Sequence, residues 1–303
     1  MKDEQQQILS PRWIATVAPA TPLLTRHSLV ISGDRIIDLL DTRAAIAKYP
    51  SASKVSLPNH LLTPGFINAH GHAAMTLLRG YADDLPMMNW LTHHIWPIEA
   101  QLVNDKFVYD GSRLAAAEMI RGGTTCAADT YFFPEATARA FSGMHFRGQI
   151  AMPVLQFGNA WARDEDEHIH KGLAFRDSIK NDPLITTAFA PHSPYTVTDA
   201  GFEKVKLYSE QLDLPVHLHL HETRNEVQEA VVNSGLRPIA RLHELGILSP
   251  TLQAVHMTQL RDDEIRLLAL NGVQVAHCPE SNMKLASGLC PVQTLLDQGI
   301  NVA

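Results

Sequence analysis

Residues 252–280 read LQAVHMTQLRDDEIRLLALNGVQVAHCPE, and the order of the patterns within them decides the fold. A short apolar run (252–257) precedes a segment with helical spacing that ends at Gly272, and a second apolar run (273–280) follows. Glycine commonly ends helices, and short apolar runs are typical of buried strands. The stretch therefore predicts a strand, a helix and a second strand parallel to the first.

The same alternation continues along most of the chain from Pro64 onward. Helical spacing recurs in DKFVYDGSRLAAAEMIRGG and DAGFEKVKLYSEQLD, each lying between two apolar runs. Eight such units favour the α/β class and a closed (β/α)8 barrel of the TIM type. An open doubly wound sheet is the alternative, but no Gly-x-Gly-x-x-Gly motif follows a strand to support its dinucleotide-binding version. The eight candidate strands lie at 65–70, 124–130, 148–156, 184–193, 215–222, 252–257, 273–280 and 300–303.

Residues 12–62 differ from the rest because they contain short strand-like runs without intervening helical patterns. The runs are WIATVAP, SLVISGDRIIDLL and KVSLPNHLLTP, and Gly33-Asp34 marks a hairpin turn in the second run. We predict that residues 1–63 form the N-terminal part of a small β-sandwich domain. Residues 64–303 form the barrel in this interpretation.

The composition argues against several classes of partner. The chain has 25 Lys and Arg against 32 Asp and Glu, a formal net charge of −7, and no basic run, so nucleic acid and anionic membranes are not expected as partners. The first residues lack the charged segment followed by an apolar segment that is typical of a secretory signal. No stretch reaches the roughly 18 apolar residues of a membrane span. We therefore expect a cytoplasmic protein that binds a small molecule. The three widely spaced cysteines predict buried thiols.

Histidine dominates the predicted carboxyl ends of the strands, where barrel enzymes carry their catalytic groups. His70 and His72 end the first strand, and two rings at this spacing on an extended segment project to one side and can reach one cation. The spacing His-x-His occurs four times in the chain, so it does not identify a site by itself. The acidic stretch RDEDEHIHKG predicts a solvated helix start for His168 and His170, and strand periodicity predicts a hydrogen-bonded core residue for His217.

The segment PGFINAHGHAAMTLLRG (64–80) resembles the metal-binding motif of the amidohydrolase superfamily. LHLHET, AVHM and HCPESNMKLASG resemble the later motifs of its branch of methylthioadenosine and S-adenosylhomocysteine deaminases. The resemblance extends from about residue 12 to the end of the chain. It implies a metal-dependent hydrolase built on a (β/α)8 barrel.

The resemblance implies that His70, His72 and His219 bind one divalent metal. Zinc is the first expectation and Fe²⁺ the alternative, because zinc suits three neutral imidazoles with one position left open for water. The same motifs assign proton shuttling to Glu222 and orientation of the attacked centre to His256. The fourth strand, LITTAFAPHS, has no lysine to bridge two metals, so the one-metal deaminase type fits.

Substrate contacts follow from the same resemblance. His192, near the end of the fourth strand, is expected to contact the substrate rather than the metal. Glu99, in HHIWPIEAQL, resembles the residue with which the family accepts hydrogen bonds from both ribose hydroxyls. Trp90 and Trp96 lie in the aromatic stretch around it and are candidates to cover the purine and the 5′ substituent. Arg147 and Arg163 are the arginines near the third strand, and either is a candidate partner for an amino-acid carboxylate. Methylthioadenosine, S-adenosylhomocysteine and adenosine all stay open as substrates.

One departure from the family pattern concerns the eighth strand. Family members place a further metal-binding aspartate there in a Gly-Thr-Asp context, whereas this sequence ends at Asn301-Val302-Ala303. We expect this fourth ligand to lie beyond Ala303 and the barrel to be incomplete at its carboxyl terminus. Asp129 is not a substitute, because the family binds no metal on the second strand.

The prediction for function is hydrolysis of a cyclic amidine C–N bond. The expected reaction converts an adenosine-type nucleoside into its inosine analogue and ammonia, in a protein expected to be a homo-oligomer. The first alternative is the same site acting on guanine, an oxidised purine, cytosine or a triazine, and Glu99 discriminates because a free base has no ribose. The alternatives of another kind are a non-catalytic barrel scaffold that has lost its metal and an inactive fragment.

Overall fold

The computed structural model describes residues 6–18 and 20–303. The chain divides into two compact units, and the boundary lies between Phe66 and Ile67. Within the described part of the chain, none of the helices combines the length and the apolar character that a membrane span requires.

The first unit is one five-stranded sheet with a short helix, α1 (Thr42–Lys48). The sheet order is β2-β1-β3-β4, and β5 pairs with β1 in parallel while the other pairs are antiparallel. Gly33, at φ +56°, forms the turn between β3 and β4, a conformation that glycine adopts without strain. The strands that the sequence predicts for these residues are present in this sheet, and its place in a larger β-sandwich domain stays a prediction. The strands are β1 (Gln6–Ala15), β2 (Leu23–Thr25), β3 (His27–Ser32), β4 (Arg35–Asp41) and β5 (Ser53–Leu62).

The second unit contains a nearly closed parallel sheet of seven strands in the order β12-β11-β10-β9-β8-β7-β6. Sequential order and parallel pairing are the topology of a (β/α)8 barrel, so the predicted fold class is confirmed. The strands are β6 (Phe66–Gly71), β7 (Thr124–Thr130), β8 (Arg147–Val154), β9 (Ile185–Pro191), β10 (Val216–Leu220), β11 (Leu252–His256) and β12 (Gln274–Ala276).

The predicted eighth strand is present as a single parallel bridge between Val302 and Val275. Three backbone hydrogen bonds join the two segments. The N–H of Val275 donates to the carbonyl of Asn301 at 3.0 Å, the N–H of Ala303 donates to the carbonyl of Val275 at 2.9 Å, and the N–H of His277 donates to the carbonyl of Ala303 at 2.8 Å. The last residues therefore take the position beside β12 that an eighth strand occupies.

Helices connect the strands of the second unit. Asn104, Asp164, Thr198 and Thr223 each precede a helix, and each side chain accepts a hydrogen bond from a backbone N–H in the first turn. Such caps satisfy donors that have no partner within the helix. The helices are α2 (Met87–Trp90), α3 (Trp96–Leu102), α4 (Asp105–Arg121), α5 (Pro134–Gly143), α6 (Glu165–Ile179), α7 (Asp199–Leu212), α8 (Arg224–Ser234), α9 (Pro238–Glu244), α10 (Asp262–Leu270), α11 (Pro279–Lys284) and α12 (Val292–Asp297), with a 3-10 helix at Ala73–Leu78 and a π-helical segment at Leu91–Ile95.

The core of the second unit lies between the parallel strands and the helices. All five residues of β10 are buried, and large side chains such as Phe141, Phe189, Phe202 and Leu252 fill the space around the sheet. Strands covered on both faces are apolar without strict alternation, which explains why the sequence shows continuous apolar runs here. Because the strands are parallel, their carboxyl ends meet at one mouth of the barrel.

Helix α4 approaches the segment after His72 so closely that only glycine fits at position 111. A Cβ atom at Gly111 would lie 2.5 Å from the carbonyl oxygen and 2.9 Å from the Cα of Ala74, and both are backbone atoms that cannot turn away. We expect Gly111→Ala to lower the free energy of unfolding by about 1–3 kcal/mol, measured by urea denaturation.

Gly143→Ala is the matched control, because a Cβ atom there meets no atom within 4 Å. Equal urea midpoints for the two variants would contradict the close approach of α4 to the backbone after His72.

Candidate active site

Three histidines from two strand ends meet at the mouth of the barrel. His70 and His72 come from the end of β6, and His219 comes from β10. One ring nitrogen of each lies within 4.8 Å of the others, and the two Nε2 atoms of His70 and His219 are 3.2 Å apart. The structure thus brings together the three side chains that the sequence predicts as metal ligands.

Backbone carbonyls determine the proton positions of two of these rings. The Nδ1 of His72 lies 2.6 Å from the carbonyl oxygen of Thr130, and the Nδ1 of His219 lies 2.7 Å from that of His192. A carbonyl oxygen only accepts, so each Nδ1 carries the proton and each Nε2 presents a lone pair.

The ring of His70 is oriented by two hydrogen-bonded side chains rather than by a backbone carbonyl. Its Nδ1 lies 2.7 Å from the Nε2 of His217, whose own Nδ1 lies 3.0 Å from the Oε1 of Gln253. The amide oxygen accepts from His217, so the Nε2 of His217 accepts from His70, and the Nε2 of His70 also presents a lone pair. His217 is therefore a hydrogen-bonded core residue, as strand periodicity predicts.

The electrostatics of the three rings suit a cation. Burial, together with the neighbouring imidazoles, holds the pKa values of His70 and His219 well below the ordinary value, and burial lowers the pKa of His72. Neutral imidazoles with converging lone pairs are the donor set that Zn²⁺ or another divalent transition metal prefers. Ligand histidines commonly donate their second N–H to a carbonyl or to another fixed acceptor, as all three do here. The residues present therefore fit a metal.

Glu222 and His256 lie side by side near the three histidines. The Oε2 of Glu222 lies 3.6 Å from the Nε2 of His256, and both side chains are buried. Burial, with a smaller contribution from the negative charge of Glu226, raises the pKa of Glu222 to about 8. Burial acts in the opposite direction on His256 and lowers its pKa to about 4. Near neutral pH the carboxyl group thus retains its proton and the imidazole is uncharged.

Glu226 fixes the turn that carries Glu222. Its carboxylate accepts the backbone N–H groups of His221 at 3.0 Å and Glu222 at 2.7 Å, and its own N–H donates to Thr223. Sequence reasoning missed this residue, although the spacing Thr223-x-x-Glu226 is a capping-box pattern and could have indicated it. The carboxylate reaches residues before the cap, so it holds the loop between β10 and α8 in place.

A cavity of about 490 Å³ opens above the histidines. His192, Glu222 and His256 line the cavity. Of the two tryptophans that the sequence suggests as a cover for the substrate, Trp90 also lines it and Trp96 does not. The remaining walls include Met87, Leu91, Tyr195, His277, Cys278 and Leu285.

Glu99 lies near this cavity without lining it. Its Oε1 accepts a hydrogen bond of 2.6 Å from the hydroxyl of Tyr131, and the Tyr131 ring centre is 6.4 Å from that of His72. Burial raises the pKa of Glu99 to about 7. Tyr131 follows β7 directly, and a polar residue just past a strand end is the signal that could have indicated it.

The positions of three residues do not support the substrate contacts that the sequence predicts for them. Arg147 is the first residue of β8 and therefore lies at the amino end of the strand, away from the mouth. The side chain of Arg163 is 82% exposed and pairs with Asp164 and Glu167. Trp96 is exposed and contacts Phe157, with ring centres 6.3 Å apart.

His168 also differs from its prediction as a solvated residue. It is fully buried, and its Nδ1 and Nε2 contact the carbonyl of Pro153 and the amide of Asn159. The acidic residues before it form the first turn of α6, in which Asp166 is exposed and Glu165 and Glu167 are half-buried, and the helix turns His168 towards β8.

The comparison with known sequences supplies the family. Residues 61–303 match the profile described as Amidohydrolase family. The chain belongs to the amidohydrolase family. This amidohydrolase is 50% identical over 295 residues to a 5-methylthioadenosine/S-adenosylhomocysteine deaminase of Teredinibacter turnerae, a match that covers 97% of the chain and 67% of the relative. It is also 38% identical to a 5'-deoxyadenosine deaminase of Methanothermobacter thermautotrophicus, with 92% of the chain and 65% of the relative covered.

Solved structures give the same family. An adenosine deaminase from Xanthomonas campestris with bound zinc superposes with a TM-score of 0.96 at 46% identity and covers 99% of this amidohydrolase, which spans 68% of that chain. A guanine deaminase from C. acetobutylicum has a TM-score of 0.89 at 19% identity, with 99% and 74% covered, which shows the shared fold alone. The chain thus spans about two thirds of the length of the relatives that it matches.

The geometry of the three histidines predicts one metal ion per chain. We expect metal-free protein to bind one equivalent of Zn²⁺ in a calorimetric titration, and His219→Ala to lose that binding because one of the three lone pairs is removed. His243→Ala is the control, since His243 is exposed on α9. Binding of two equivalents, or full affinity in His219→Ala, would rule out the proposed set of ligands.

Proposed function

We propose that this amidohydrolase deaminates an adenosine-type nucleoside by hydrolysis. Water adds at C6 of the purine, the amino group leaves as ammonia, and the product is the inosine analogue. The observation that carries the proposal is the position of Glu222 and His256 beside three neutral histidines in one cavity. The names of the relatives at 38–50% identity, all nucleoside deaminases, support the same reaction.

The proposed metal is zinc, held by His70, His72 and His219, and Fe²⁺ suits the same nitrogen donors. When bound, a divalent cation of this kind would lower the pKa of a water molecule to about 7. The rest of the chemistry falls to the side chains around it.

Glu222 is the proposed proton carrier. With a pKa of about 8 it holds a proton at neutral pH, and it can donate this proton to N1 of the purine while water attacks C6. The carboxylate formed in this way takes up one proton from the added water and delivers it to the leaving amino group. As ammonia leaves, the carboxylate takes up the second proton of the added water from O6, which gives the 6-oxo product and restores protonated Glu222. The proton count balances, because water supplies the protons that leave with ammonia and stay on the product.

His256 is the proposed partner of the attacked centre. Its uncharged ring lies beside Glu222 in the wall of the cavity, and it can accept a hydrogen bond from the attacking water. His192, which lines the same cavity, is the proposed contact to the purine.

Glu99 is the proposed partner of the ribose hydroxyls. A carboxylate suits a cis-diol because it accepts two hydrogen bonds, and the Tyr131 hydroxyl orients it from one side. The placement of Arg147 and Arg163 removes the support for a 5′ carboxylate partner from these two residues. Methylthioadenosine, S-adenosylhomocysteine and adenosine are the candidate substrates. A homo-oligomer and a cytoplasmic location stay predictions from the sequence.

Glu222→Gln tests the proton carrier. We expect the variant to keep its zinc and to lose about 10² to 10⁴ in kcat for methylthioadenosine, because an amide of nearly the same shape cannot carry the proton. Glu229→Gln on the exposed face of α8 is the matched control and keeps its activity. Near-normal turnover in Glu222→Gln would assign the proton transfer to another group.

Glu99→Ala tests the nucleoside class. Above pH 7, where Glu99 is mostly charged, loss of two hydrogen bonds to this acceptor costs about 3 kcal/mol, so kcat/KM for adenosine should fall roughly a hundredfold. Any activity on free adenine should not change, because the base has no ribose. Gln101→Ala on the exposed surface of α3 controls for changes in the helix. Equal losses on adenosine and adenine would remove the ribose from the proposal.

A further inference from the structure

The segment SNMKLASG (281–288) packs against the residues that follow β11. The proposed reaction does not use any of its side chains. The side-chain amide of Gln259 donates to the carbonyl of Ser287 at 2.7 Å, and the hydroxyl oxygen of Thr258 lies 3.1 Å from the same carbonyl. These contacts join residues 28 and 29 positions apart in the chain. The segment therefore packs against the residues that directly follow His256.

Asn282 makes the contact to His256 itself. Its Oδ1 lies 2.8 Å from the Nδ1 of His256, and the two residues are only 2% and 3% exposed. The backbone of Asn282 is held on both sides, because its N–H donates to the carbonyl of Cys278 at 2.9 Å and its carbonyl accepts the N–H of Ser287 at 2.9 Å. A side chain that is fixed in this way can impose a direction on its partner.

The contact determines which nitrogen of His256 carries the proton. An amide oxygen only accepts, so Nδ1 must be the donor. An uncharged imidazole has one N–H, which leaves the lone pair on Nε2. This nitrogen is the one that lies 3.6 Å from the Oε2 of Glu222 and belongs to the cavity wall.

The backbone at His256 gives a second reason for external support. His256 has φ +76° and Met257 has φ +50°. Both values lie in the left-handed region of the backbone, which residues other than glycine rarely adopt. Such conformations are strained and persist only where surrounding contacts enforce them. The N–H groups of Met257 and Thr258 donate to the carbonyls of Leu220 and His221 at 3.2 and 3.0 Å, and the contact of Asn282 with the His256 side chain adds support from α11.

We propose that Asn282 is a positioning residue that holds His256 as the Nδ1–H tautomer and directs the Nε2 lone pair towards the reacting centre. The inference rests on the proposed deamination, in which that lone pair accepts a hydrogen bond from the attacking water. Asn282 itself does not touch the substrate in this scheme, and it acts through His256 alone.

The first test measures the tautomer directly in the zinc-loaded wild-type protein. Nitrogen-15 histidine labelling and long-range ¹H–¹⁵N NMR distinguish a protonated Nδ1 from a protonated Nε2, and the spectrum of His256→Gln identifies the signals of His256. We expect the proton on Nδ1. A proton on Nε2, which means that the amide is turned round and donates to Nδ1, would overturn the proposal. This result does not depend on whether any Asn282 variant folds.

The second test compares Asn282→Leu with Asn282→Asp. Leucine has a similar size without an acceptor, whereas aspartate retains an oxygen that accepts from Nδ1. We expect Asn282→Leu to lose the Nδ1–H signal and about 10- to 100-fold in kcat with little change in KM, while zinc binding persists. Asn282→Asp should retain the Nδ1–H signal and recover part of kcat. A leucine variant with the wild-type tautomer and wild-type kcat would refute the role of Asn282.

The two proposals fail in different ways. If zinc-loaded wild-type protein releases no ammonia from any adenosine-type nucleoside, the proposed function is wrong, whichever tautomer is seen. If it deaminates nucleosides while His256 carries its proton on Nε2, the proposed function stands and the inference about Asn282 is wrong.

Discussion

The hydrogen bonds that hold one proton on Nδ1 of each metal-site histidine are the constraint on which the rest of the site depends. The carbonyls of Thr130 and His192 accept from His72 and His219, and the chain from His217 to Gln253 accepts from His70. With those protons fixed, three Nε2 lone pairs converge in a space within 4.8 Å. Without them each ring could present an N–H to the centre, and the same three histidines would repel a cation.

Two of these acceptors are backbone carbonyls at the ends of barrel strands. Thr130 ends β7 and His192 follows β9, so each acceptor is the carbonyl at the end of a strand close to the strand that bears the ligand. Parallel strands in sequential order place all of these ends at one mouth. The close approach of α4 at Gly111 supports the segment after His72 from the other side.

Burial shifts the pKa values of Glu222 and His256 in opposite directions. Removal from water disfavours the charged form of both groups, which raises the pKa of the carboxyl and lowers that of the imidazole. One environment thus produces a proton donor and an acceptor at the same pH, 3.6 Å apart. The positions of the two groups are controlled by further side chains, Glu226 behind the first and Asn282 behind the second.

The sequence by itself determined the alternation of strands and helices and the placement of His70, His72 and His219 at strand ends, because periodicity and end position are local properties of a chain. Only the tertiary structure decided where each ring nitrogen points, since the partner of His70 is 147 residues away and that of His256 is 26 residues away. It also separated Arg147 from the mouth and turned His168 inward, because proximity along the chain does not say which end of a strand or which face of a helix a side chain occupies. Hydrogen bonds between distant strand ends form only once the barrel has curved, and for that reason the proton positions of the site belong to the fold.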